Sequence, residues 1–321
     1  MDRKNFLLWE KAQVLLTAGV LLAAVYYLLW RSFVGADPQG PMVFLPAGRF
    51  GAMLLAGVML CLLGAIAGLT TTRSRPAGAI LAALLAAGGL ALRSPQMKPL
   101  LWIRSGHLGS LFGQMILEIL FFAAVLFLAT VLARVTRGFV RRFKPSWVWS
   151  DPLTALGPEH RKALSKAGIV SLPSQGETGE NTAHVSRAEL RRSLACLFSG
   201  VAMGIILVSI IMQSTLRGQV LFALLAGFYL AALGARHFFP ARSVAVAWAM
   251  PLVVAIIFYI LAAISASGSP TGFWASAGPQ FQALPIDWLS AGGSGAVLGF
   301  WTAGRMLELR AFEHLISLEV D

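Results

Sequence analysis

The sequence predicts an all-α fold, a polytopic transmembrane helical bundle of about eight spans. Three observations predict it. Hydrophobic residues make up 57% of the chain and charged residues only 12%, against about 25% charged in soluble domains. So little charge cannot solvate that much apolar surface in water. The apolar residues gather in runs near the length that crosses a bilayer, about 20 residues. The cations stand in short clusters beside those runs, where they set topology and meet anionic lipid. The net charge of +12 therefore points to membrane headgroups and not to nucleic acid. Arg outnumbers Lys by 20 to 6, and Ala, Gly and Leu dominate the spans, a composition expected of a bacterial inner-membrane protein.

The first span is expected from Ala12 to Trp30, after a charged start bearing Arg3, Lys4 and Lys11. It is too long, and lacks the small-residue cleavage site, for a signal peptide. The loop from Arg31 to Arg49 holds Gly35, Pro38, Gly40, Pro41 and Pro46, too many breakers for a helix. A second span follows from Phe50 to Thr70. A tight connection with Arg73 and Arg75 leads to a third, Ala77 to Leu92, which is short and rich in Ala and Gly. The loop from Arg93 to His107 carries three cations and falls outside. Omitting the third span would remove that violation but would put the larger cluster after Ala133 outside instead.

The fourth span, from Leu108, ends in the cationic cluster Arg134, Arg137, Arg141, Arg142 and Lys144. These five are expected to contact anionic headgroups or an acidic protein partner. They open a basic cytoplasmic insertion, residues 134–192, with 11 basic and five acidic residues. Within it, Pro158 to Lys166 has the pattern of a short helix, Ser171 to Ala183 that of a mobile tether, and Ser186 with Glu189 that of a capping box. The insertion separates an N-terminal membrane half, 1–133, from a C-terminal half, 193–304. Each half has four spans, the later ones at 193–212, 219–235, 244–265 and 288–304. Pro251 should kink the third of these. Residues 305–321 read as an amphipathic helix on the cytoplasmic surface, with Arg310, Glu313, His314 and Ser317 on one face.

With eight crossings and both termini cytoplasmic, only six basic residues lie outside: Arg31, Arg49, Arg93, Lys98, Arg104 and Arg217. The other 20 of the 26 lie inside, the asymmetry expected for this orientation. The connections Arg73 to Gly78 and Phe238 to Ser243 both place a Pro-Ala step where a span begins. Two parallel four-span repeats would give that likeness.

Glu118 is the only carboxylate this reading places at membrane depth, about 15 Å of helix rise from the outer end of its span. Gln114 and Ser110 precede it by four and eight residues, on one helical face. The stripe is a candidate proton, cation or substrate site, or else a structural hydrogen bond between spans. The pairs Gly64/Gly68, Gly200/Gly204 and Gly295/Gly299 suit close helix approach. Cys61 and Cys196 fall inside spans, where no disulfide is expected.

One short fragment, Gly292-Gly293-Ser294-Gly295-Ala296-Val297, resembles the serine-nucleophile segment of rhomboid intramembrane proteases. That family needs a histidine on a later span, and here only His314 follows, outside any span. The other histidines stand apart in sequence without Cys or carboxylate at ligand spacing, so neither a metal nor another cofactor is expected. The expected function is a non-catalytic membrane component, a scaffold or assembly subunit. The alternative is a secondary transporter or channel using Glu118, and an intramembrane enzyme ranks last.

Overall fold

The computed structural model describes residues 3–34, 40–72, 74–144, 187–268, 272–273 and 276–320, with the side chains of 3–8, 268 and 311–320 outside that description. Among the described residues the structure is helical, without strands. Its main elements are α1 (Arg3–Ala24), α2 (Phe50–Thr70), α3 (Pro76–Arg93), α4 (Lys98–Ile103), α5 (Leu108–Phe143), α6 (Arg187–Ile211), α7 (Arg217–Phe238), α8 (Val244–Gly268) and α9 (Gly293–Val320). The expected helix at 158–166, the tether at 171–183 and Ser186 lie outside the described residues.

Seven segments are long and apolar enough to cross a membrane: Trp9–Phe33, Phe50–Thr70, Pro76–Arg93, Ser105–Phe143, Arg187–Ile211, Arg217–Phe238 and Val244–Ser267. Each overlaps one of the first seven expected spans. Their outward faces keep large apolar side chains exposed, among them Leu16, Leu62, Phe127, Phe198 and Ile210. Apolar area of that extent has lipid, and not water, as its solvent. The protein is a multi-pass membrane protein.

The eighth expected run, 288–304, is not among the seven. It opens as a π-helical turn, Trp288–Gly292, and runs into α9. Arg305, Glu308 and Arg310 dilute that helix's apolar character, yet Trp288, Ala296, Val297 and Phe300 are buried in the core. Two boundaries also differ from expectation. The helix of the fourth span does not end at Ala133: α5 continues unbroken to Phe143 and carries the cationic cluster. The C-terminal segment does not start a separate surface helix at Arg305 either; α9 runs through it.

Local chemistry explains the ends. Pro76 starts α3, where its missing N–H costs nothing. Ser94, extended before Pro95, stops it. In packing, α1 lies on α3, α2 on α3 and α5, α6 on α7 and α8, and α7 on α9. The halves join where α5 meets α8 and α3 meets α9, and one buried core runs through both. The tightest approach is α9 on α7: a Cβ at Gly295 or Gly299 would run into the carbonyl oxygens of Leu225 and Tyr229. Only glycine admits that contact.

Candidate functional site

The bundle has two ends of different chemistry. At the end opposite the cationic cluster, the loop after α1 folds back into the bundle instead of lying over it. Met42, Val43 and Phe44 are buried, and unpaired backbone polar groups there would be costly. Each donor finds a partner. Met42 donates its N–H to Ser94 Oγ at 2.9 Å, and Val43 donates to Pro41 O at 2.9 Å. The N–H groups of Phe44 and Leu45 both donate to Glu118 Oε2, at 2.9 and 3.2 Å. Gly48, with φ 68°, supplies the left-handed residue that closes the turn, and Arg49 N–H then donates to Phe44 O at 2.8 Å. The Phe44 ring packs edge-on against Phe33 and Phe122.

Glu118 is therefore a fully buried acceptor for a loop backbone. Its Oε1 is also buried and has no hydrogen-bond partner among the described residues. The expected stripe does not form a site with it. Ser110 is exposed and donates to His107 O at 2.9 Å, and Gln114 is half-buried. Four- and eight-residue spacings drift around an α-helix, so the three side chains meet different surroundings.

The second half holds its own loop in a related way. Tyr259, fully buried on α8, donates to Ala283 O at 2.6 Å. Asp287 accepts from Leu284 N–H at 2.8 Å and pairs with both terminal nitrogens of Arg217. Arg217 Nε also donates to Ala91 O at 2.9 Å, which ties this loop to α3 of the other half. Burial pushes the Asp287 carboxyl above its ordinary value, and the Arg217 charge opposes that push. Glu118 and Asp287 are both within electrostatic reach of the Tyr259 phenol. Glu118 is thus not the sole buried carboxylate.

At the cationic end, Glu10 on α1 pairs with Arg305 on α9, and Arg75 pairs with Glu308. Arg236 donates to Phe300 O and lies 3.7 Å over its ring. Arg137 corrects an expectation. It is buried against protein, and donates to the carbonyls of Thr71, Thr72, Ser74 and Arg75. Those carbonyls line the connection from the C-terminal end of α2 to the start of α3, and at the α2 end a cation is favoured. Arg134, Arg141, Arg142 and Lys144 are exposed.

Sequence reasoning missed the buried Glu10, Tyr259 and Asp287 and the part-buried Arg217 and Glu308 as partners. The available signal was position, since each charged one borders an apolar run. Ser294 is buried and its hydroxyl has no partner among the described residues. Among the described residues no group of three or more His, Cys, Asp or Glu could hold a metal ion. Cys61 and Cys196 are free thiols. No known protein family, curated protein or solved structure matches the chain.

Proposed function

We propose that the chain is a non-catalytic integral-membrane component, a scaffold or assembly subunit of a bacterial inner membrane. In this reading it crosses the bilayer eight times with both termini cytoplasmic. Its basic segment, 134–192, engages anionic headgroups or an acidic protein partner, with Arg134, Arg141, Arg142 and Lys144 as the exposed contacts. The observation that carries this reading is the use made of Glu118. The buried acid holds two loop N–H groups, a structural task that needs no change of charge. The ion pairs at both ends likewise join elements to each other.

One observation favours a second reading, transport through a proton or cation site. Glu118 Oε1 is buried without a partner among the described residues, and such an oxygen is where a proton would reside. Flux separates the two. The purified full chain, reconstituted into vesicles carrying a pH-sensitive dye, is exposed to an imposed pH gradient and membrane potential. The scaffold reading expects the same leak from wild type, Glu118→Gln and empty vesicles. A proton or cation flux present in wild type and lost in a stably folded Glu118→Gln protein overturns it.

A further inference from the structure

The loop end contains a cavity of about 250 Å3 beside the ends of α1 and α3. Two arginines, Arg49 and Arg93, line it, and no acidic residue does among the described residues. Both guanidinium groups are held in place. Arg49 donates from its two terminal nitrogens to Phe33 O at 2.7 Å and Val34 O at 2.9 Å. Arg93 stacks on the Tyr26 and Trp30 rings, 4.0 and 4.7 Å from their centroids. Such stacking fixes the plane of the fork. Among the described residues only the Arg93 Nε–H has a hydrogen-bond acceptor, Tyr26 O at 3.4 Å, so its terminal N–H groups remain for an anion. The rest of the wall is apolar or rigid, including Phe33, Met42, Pro95 and Leu100.

Two oriented guanidiniums facing one cavity match the oxygens of a phosphate group. The volume equals on the order of eight waters, enough for a phosphate headgroup but not for acyl chains. Those chains have a place to go. Ile103 lines the cavity and is 70% exposed, and Leu92 and Trp102 nearby in sequence are also exposed. We propose that this cavity binds the phosphate headgroup of an anionic lipid, with Arg49 and Arg93 on the phosphate and the acyl chains along the exposed apolar surface around Ile103. The site is independent of the scaffold reading and of Glu118.

The test uses the purified full chain in a zwitterionic detergent and follows its thermal unfolding midpoint. Phosphatidylglycerol should raise the midpoint saturably, and phosphatidylcholine should not. Loss of one charge-assisted contact in Arg93→Gln should weaken the apparent phosphatidylglycerol affinity about tenfold, while Arg93→Lys, which keeps the charge but not the planar fork, should weaken it about threefold. Arg141→Gln/Arg142→Gln should leave the response intact, which separates the cavity from the cationic end. Inorganic phosphate alone reproducing an Arg93-dependent shift would overturn the lipid as the ligand and leave a soluble phosphate compound in its place. A phosphatidylglycerol shift unchanged in Arg93→Gln, or matched by phosphatidylcholine, overturns the site. Should Arg93→Gln fail to fold, Arg93→Lys and Arg49→Lys titrated with the same lipid decide it: undiminished affinity in both overturns the site, and weakening in either supports it.

Discussion

At the scale of the residue, Glu118 does work that its neighbours in sequence do not reveal. One carboxylate oxygen satisfies two buried backbone donors, and removing the acceptor leaves both without a partner. A buried unsatisfied donor costs about 1–3 kcal/mol. Glu118→Ala should therefore lose roughly 2–5 kcal/mol of stability, read as a lower unfolding midpoint in detergent. Glu118→Gln keeps an oxygen at the same reach and should stay within about 1 kcal/mol of wild type. Equal damage from both substitutions would contradict the clamp. A carboxylate inside an apolar run stands out in a sequence, so the position was legible. Its partner was not, because a loop N–H belongs to no particular side chain. Arg137 shows the reverse. Four exposed cations surround it in sequence and hide its burial, although its spacing from Thr130 and Ala133 places it on the stripe of α5 that the structure buries.

At the scale of the element, length and hydropathy were readable and continuity was not. Each of the seven long apolar helices was visible as a run. The extension of α5 to Phe143 and of α9 to Val320 was hidden, because a change from apolar to charged residues marks the edge of the lipid and not the end of a helix. Glycines separate in the same way, by what lies opposite them. Gly295 faces the backbone of Leu225 across the α7–α9 contact, whereas Gly113 on α5 has open space where a Cβ would go. Gly295→Ala should force the helices apart at about 1–3 kcal/mol. Gly113→Ala should be neutral or gain up to about 1 kcal/mol of helix propensity. Unfolding midpoints of the two variants in one detergent check this, and a harmless Gly295→Ala would remove the close approach.

At the scale of the whole molecule, the two halves use their helices alike. In the first half α1 packs on α3 and α2 on α5, in the second α6 packs on α8 and α7 on α9, and the halves meet where α3 touches α9 and α5 touches α8. That arrangement is what two parallel four-span repeats would give. The few shared letters between the connections at 73–78 and 238–243 could carry only a hint of it, since helices can pack alike through shape without sharing residues. The same arrangement separates the clamped loops from the cationic network, and the proposed topology sets those two ends on opposite sides of the membrane. Single cysteines at Gly176, Ser276 and Val320, in a Cys61→Ala/Cys196→Ala background, test this with a membrane-impermeant thiol reagent on sealed cells and on inverted vesicles. Positions 176 and 320 should label only from the cytoplasmic side and position 276 only from the outside. Labelling of 176 and 276 from the same side would contradict the two-ended bundle, and labelling of 320 from the outside would remove the eighth crossing.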